Sequence, residues 1–279
     1  MVSRRDFLRK AGIVTAATAF LPSFNFKAAD IKTGLILYTV RDEMMKDPGG
    51  TLKAVAETGY NWIEAASYSN GLFYNKKPAG FRKTVESYGL EWISSHNGVD
   101  YKNMNKTIAD AAEAGLKYLI MPSLPRIWNR SLDGFKEASD FFNLAGAKCK
   151  AAGMKFGFHN HTTEFKKIDN KVPYDLLLTR TNPDLVTFEL DLCWITAAGQ
   201  SPVSYINKYP GRFELFHIKD MSADKEDATL GEGIIDFKPI FNLAGKAGLK
   251  YFFVEQDNCK THTPLETIRI SRNFLLNNF

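Results

Sequence analysis

Cysteine is scarce in this chain of 279 residues. Cys149, Cys193 and Cys259 share no metal-like spacing, and an odd count argues against a full disulfide framework. No later segment approaches the ~20 apolar residues that a membrane-spanning helix requires, so no stable membrane insertion is expected. The first strand-helix unit lacks a G-x-G-x-x-G turn, which weighs against a doubly wound dinucleotide fold. Neither an arginine cluster nor a glycine-rich phosphate cradle occurs on the last strands, so a phosphorylated ligand is not indicated. No linker or low-complexity segment divides the chain after residue 29. A true charge surplus is missing as well. The formal charge is +5, but Arg4, Arg5, Arg9, Lys10 and Lys27 against Asp6 concentrate +4 in the first 29 residues. The remainder carries about +1, which suggests no nucleic-acid or polyanion partner.

What is present begins with an address. "SRRDFLRK" sets two arginines before Phe7 and Leu8, and "AGIVTAATAFLP" follows as a short apolar stretch. This resembles the twin-arginine export signal of bacteria, which implies an exported, periplasmic protein. The expected organisation is a signal over 1–29 and one catalytic domain over 30–279.

From Lys32 onward, eight apolar or β-branched runs recur: "TGLILYT", "NWIEAAS", "LEWISSH", "KYLIMPS", "MKFGFHN", "LVTFELD", "FELFHIK" and "KYFFVEQ". A stretch of helical character follows each, and several helices stop at a glycine just before the next strand. Strand-helix alternation repeated eight times implies parallel pairing with right-handed crossovers. The α/β class and a single-domain (β/α)8 TIM barrel follow.

Chemistry in such a barrel sits at the carboxyl ends of the strands. Strand two ends with Glu64, three with His96, five with His159 and His161, six with Glu189 and Asp191, seven with His217 and Lys219, and eight with Glu255 and Asp257. Four of the five histidines fall in this set. Residues two apart on a strand share a face, so each pair can project inward. Gathering such groups on an apolar rim is costly unless they pair with one another or hold a metal. Imidazole mixed with carboxylate suits manganese, zinc, cobalt or iron. Asp191, His217 and Glu255 come from successive strands, with His159 or Glu164 available as a fourth ligand. Glu189 reads as a structural acid, and Lys219 could be a counter-ion for Asp220 or Glu189. Tyr38, Tyr68, Phe73, Trp128 and Trp194 could stack on sugar faces or simply pack.

"LILYTVRDE", "FHNHTTEF", "FELDLCW", "RFELFHIKD", "GEGIIDFKPIF" and "YFFVEQD" together resemble the xylose-isomerase-like superfamily, the sugar phosphate isomerase/epimerase group of barrels. The resemblance covers roughly 32 to 279. It implies a divalent-metal enzyme with Asp191, His217 and Glu255 as ligands. Strand five departs from the Glu-x-His motif of several relatives, because it reads His159-Asn160-His161. His159 then replaces the acid as ligand, or Glu164 folds back to do so. His161 becomes the leading general base, with Glu164, His96 and Lys219 as further catalytic candidates. Tyr38, Glu64, Trp194 and Gly233 are candidates for substrate contact, the last in a glycine-lined wall over Gly231 to Gly233. The implied chemistry is removal of a proton alpha to the carbonyl of an unphosphorylated keto-sugar through an enediolate stabilised by the ion. An isomerase or epimerase is the leading outcome. Lyase or hydratase action on 3-keto-glycosides and a non-catalytic carbohydrate-binding barrel are the alternatives. The sequence gives no oligomeric state. A charge near +1 outside the leader predicts that the protein will not retain duplex DNA at low salt. A gel-shift titration checks this, and a salt-sensitive shift at micromolar protein would point to a repair-endonuclease-like barrel instead.

Overall fold

A computed structural model describes residues 32–279, so the leader, and with it the signal assignment, lies outside the described residues. The eight expected strands are β1 Gly34–Ile36, β2 Trp62–Ala65, β3 Glu91–His96, β4 Tyr118–Met121, β5 Lys155–His159, β6 Val186–Asp191, β7 Leu215–Ile218 and β8 Tyr251–Val254. All pair in parallel with their sequence neighbours, and β1 closes on β8, giving one closed (β/α)8 barrel. Helices such as Pro48–Glu57, Met104–Glu113, Leu132–Ala151 and Pro264–Asn278 return the chain between strands or close it. Their starts have local causes. Thr263 and Glu266 form a reciprocal capping box on the last helix, and Ser131 caps the helix from Leu132. Among the described residues no helix is long and apolar enough to cross a membrane.

Period-two alternation sorts the strand residues into two layers. Leu35, Phe156, Phe158, Phe188, Leu190, Phe216, Ile218 and Val254 face outward into the core between barrel and helices. Ile36, Trp62, Ile93, Tyr118, Ile120, Leu215 and Phe253 fill the barrel interior as an apolar floor. One step further along the strands the inward positions become Glu64, Glu189, His217 and Glu255.

β3 reaches this polar layer by an irregular route. Ile93 faces inward, and His96, three residues on, would face outward in a regular strand. The β2–β3 register shifts by one residue at this point, pairing Ile63 with Trp92 but Glu64 with Ser94. This bulge restores His96 to the interior.

Gly34 shows how tightly the floor is packed. A Cβ there would overlap the indole of Trp62 and the ring of Phe253. Trp62 cannot yield freely, because its Nε1–H donates to the Phe252 carbonyl at 3.2 Å. Gly34→Ala is therefore expected to destabilise the barrel by about 2 kcal/mol through overpacking, measured as a lowered urea midpoint with unchanged slope.

Candidate active site

The carboxyl ends of β5 to β8 bring four side chains together. His159, Asp191, His217 and Glu255 each offer a ligand atom within 4.8 Å of the others, and all four are buried. Each is oriented by a partner outside the cluster. Asp191 caps the short helix Leu192–Ala197: its Oδ1 accepts the Trp194 N–H at 2.6 Å, which leaves Oδ2 turned inward without a hydrogen bond. His159 Nδ1 lies 3.4 Å from the Pro122 carbonyl, leaving Nε2 bare, buried and 3.5 Å from Asp191 Oδ2. Two orphaned acceptors facing one another at that separation fit a shared divalent ion with bonds of about 2.0–2.2 Å. His217 Nδ1 and Glu255 Oε2, 2.9 Å apart, complete the set.

Beneath it lies a second ring: Glu64, His96, Glu189 and, again, His217. His217 Nε2 is 2.7 Å from Glu64 Oε2 and 3.1 Å from Glu189 Oε2, while His96 Nε2 is 2.6 Å from Glu189 Oε2. The rings of His96 and His217 stack 5.1 Å apart. Two carboxylates around Nε2 hold a proton there, which presents Nδ1 to the upper cluster. Glu64 and Glu189 are thus a hydrogen-bonded support, His96 reaches from them to the cavity, and the upper quartet is the candidate metal site. The expectation that Glu64 contacts substrate is corrected by this depth. Glu64 is fully buried behind His217.

Above the quartet opens a cavity of about 340 Å³ lined by Tyr38, Tyr68, His96, His161, Lys219 and Asp257, among others. Lys219 Nζ is 2.6 Å from Asp257 Oδ2, 2.8 Å from Glu255 Oε2 and 3.4 Å from Asp191 Oδ2, and sits 4.6 Å over the Trp194 ring. Burial disfavours its charge, but Asp191, Glu255 and Asp257 outweigh burial and keep it an ammonium. Of the two partners expected for it from sequence, Glu189 pairs with His96 and His217, and Asp220 is otherwise engaged. Asp220 accepts four backbone N–H groups, from Met221, Gly231, Gly233 and Ile235.

The two pocket histidines outside the quartet diverge. At His96 burial disfavours the imidazolium, yet Glu64 and Glu189 overcome it and raise the pKa. At His161 burial, with His159 alongside, lowers it to about 3. His159 is likewise held well below its ordinary value by burial and by His217 and His96. At His217 burial loses to Glu189 and Glu255, so in the protein alone this ring is readily protonated.

Two further expectations change. Glu164 joins neither cluster: its Oε2 accepts the backbone N–H of His161 at 2.8 Å and its Oε1 accepts the Thr163 hydroxyl at 2.9 Å. From within the turn Thr163–Phe165 it reaches back to brace the backbone at His161, and it lies outside both candidate ligand groups. Gly233 is not a pocket wall, since a Cβ there would overlap the Asp220 carboxylate that organises its loop. Trp194 sits beside Lys219 and His161 without lining the cavity. Asn160 escaped the sequence reading. Its Oδ1 accepts the Asp191 N–H at 3.1 Å and so ties β5 to β6 under two ligands. A buried asparagine between two inward histidines was the available signal.

Residues 52–277 match the family described as xylose isomerase-like TIM barrel. An inosose dehydratase of Lacticaseibacillus casei is 25% identical over 169 residues, 53% of either chain, so the alignment spans about half the length of that relative. The crystal structure of a sugar phosphate isomerase/epimerase from Parabacteroides distasonis is 30% identical, with a TM-score of 0.78, covering 92% of this chain and 99% of that one. The zinc-containing structure of an IOLI protein covers 88% of this chain and 97% of that one at a TM-score of 0.70. Its 14% identity shows likeness of fold alone.

Binding an ion at His217 Nδ1 requires that nitrogen bare, while His159 is already neutral. The His217 proton competes at low pH and leaves as pH rises through its elevated pKa, so affinity strengthens with pH up to that point. Calorimetric zinc titrations in buffers of differing ionisation enthalpy should show about one proton released per ion and about a tenfold weakening per pH unit on the acid side. Buffer-independent heats would contradict this ligand set.

Proposed function

The chain belongs to the xylose isomerase-like TIM barrel family, and on that premise we propose that it is a divalent-metal-dependent lyase or hydratase acting on an unphosphorylated keto-sugar. The reading rests on one observation: His96 and His161 line the same cavity as His159 and Glu255, with His96 Nε2 held 2.6 Å from the Glu189 carboxylate, which favours its proton, while burial beside His159 disfavours one on His161. Groups whose environments separate them in this way divide acid and base roles.

His159, Asp191, His217 and Glu255 would hold a divalent ion of the manganese, zinc, cobalt or iron kind, and when bound it would supply carbonyl polarisation, making a neighbouring C–H acidic enough for a base as weak as His161. His161, neutral at working pH, takes the α-proton. The C–H electron pair forms the new C=C bond and expels the oxygen substituent one carbon further on, which receives a proton from His96. The products are an enone and water or an alcohol, and addition of water in the reverse sense is the hydratase outcome. Lys219 faces the cavity as a fixed positive charge for an oxygen gaining negative charge. Dehydration is also what the name of the Lacticaseibacillus casei relative states.

Isomerisation or epimerisation is the second reading, favoured by the description of the Parabacteroides distasonis structure. Isomerisation would need His161 alone to carry the proton to the neighbouring carbon, and epimerisation would need His96 to return a proton from the opposite face, whereas elimination uses His96 on the leaving oxygen. We further propose export, from the twin-arginine-like leader, which agrees with an unphosphorylated substrate.

The test is incubation of the metal-loaded protein with a 3-keto-glucoside in deuterated water, followed by NMR. Release of the aglycone with an enone product is expected. Deuterium at the α-carbon with the glycosidic bond intact would transfer the assignment to isomerase/epimerase. His161→Ala should lower turnover by ~10²–10⁴ with metal content unchanged.

A further inference from the structure

The metal cavity is not closed on its β2–β3 side. Tyr68 and Gly98 line it and also line a second cavity of about 620 Å³, which runs between the hairpin Tyr68–Phe73 and the helix Met104–Glu113. The partition is rigid. The Tyr68 hydroxyl donates to Asp110 Oδ2 at 2.5 Å, the Tyr68 ring packs on Phe73 at 4.8 Å, and Lys106 Nζ holds both oxygens of Asp110 at 2.8 and 3.0 Å. Gly71 lets the hairpin tip approach that lysine. A Cβ there would meet Lys106 Nζ at 2.6 Å, on a backbone with φ of +82°. Beyond the partition the walls are polar: Ser69, Asn70, Lys102 and Thr107. Lys102 is exposed and pairs with no carboxylate among the described residues.

A pre-formed, donor-rich cleft joined to a catalytic pocket through one aromatic ring has the character of a sugar subsite. An apolar ring face lies on the tyrosine, and hydroxyl oxygens accept from ammonium and amide groups. The first cavity is of a size for one ring beside an ion, and the second is larger. We propose that this cleft is the subsite for the leaving-group half of the substrate. The substrate is then a keto-glycoside whose second half is a hydroxyl-rich glycosyl unit, not a free keto-monosaccharide. This rests on the reading of the metal pocket as a keto-sugar site.

The experiment compares a 3-keto-disaccharide with methyl 3-keto-glucoside on zinc-loaded protein, wild type and Lys102→Ala, an exposed substitution outside the catalytic machinery. A KM about tenfold lower for the disaccharide is expected, with Lys102→Ala raising that KM three- to tenfold at unchanged kcat and leaving the methyl glycoside within about twofold. Equal KM values, or an equal effect of Lys102→Ala on both substrates, would overturn the subsite while leaving the lyase reading in place. If neither compound is turned over, the lyase reading fails. The subsite is then decided by saturation-transfer NMR with the unoxidised disaccharide: loss of signal in Lys102→Ala supports it, and wild-type signal in the variant overturns it.

Discussion

Four carboxylates are sunk in the mouth of this barrel, and one permanent cation accompanies them. Glu64, Glu189 and Asp191 are fully buried and Glu255 nearly so, while Lys219 is the lone fully buried lysine among the described residues. Anions this deep are tolerable when charge is returned to them, either as protons on the imidazoles or as an ion. In the protein alone the first solution operates, and His96 and His217 hold on to protons because the acids surround them. The second solution would exchange the His217 proton for a divalent charge at the place where His159 Nε2 and Asp191 Oδ2 make no hydrogen bond. The protein is thus already balanced for the ion, and proton and metal compete for the same electrostatic role.

The rest of the site serves to keep these groups from relaxing away. The apolar floor fixes the height at which the polar layer begins, and β2, β7 and β8 deliver Glu64, His217 and Glu255 one alternation above Trp62, Leu215 and Phe253. The bulge at Ile93 brings His96 into that layer, where it shares Glu189 with His217. Below the candidate ligands the carboxylate ring sets the His217 tautomer. At the side, Asn160 and the helix that Asp191 caps hold the β5–β6 corner. A ligand set held from below, from the side and by its own strands keeps its geometry before any ion arrives, which is the preorganisation that catalysis in a buried site requires.

Much of this was legible in the sequence, for identifiable reasons. The eight strands show as short apolar runs, because parallel strands buried on both faces leave little polar interruption. The pairs His159/His161, Glu189/Asp191 and His217/Lys219 show because two-residue spacing is preserved to the ends of regular strands. Depth was harder to see. Glu64 and Glu255 look alike at their strand ends, yet only Glu255 lines the cavity, and Glu64 is sealed in against His217. Glu164 read as a ligand because it is an acid near two histidines, yet a three-residue turn folds it onto the chain behind His161. Gly233 read as a substrate wall, and its reason for being glycine lies fifteen or fewer residues away in Asp220, whose carboxylate collects the N–H groups of the loop. Contacts made through backbone amides leave no periodic trace in a sequence.

The histidine at the fifth strand, where the family resemblance implies an acid, has an electrostatic consequence for the candidate site. Two imidazoles and two carboxylates neutralise a divalent ion, whereas three carboxylates would leave the assembly negative. The ligand set itself would then add no surplus negative charge facing a substrate oxygen. Lys219 belongs to the same balance. Its ammonium touches Glu255 and Asp191, which it would otherwise have to surrender to an ion, but its shortest contact is to Asp257, outside the quartet. Asp257 can hold the lysine at the rim while the quartet closes on the ion, leaving a positive charge in the cavity beside the metal. With His159 in place of a strand-five acid the set would give up some affinity for an ion, and on the proposed chemistry it would leave the pocket more hospitable to the anion formed when a proton is removed next to a carbonyl.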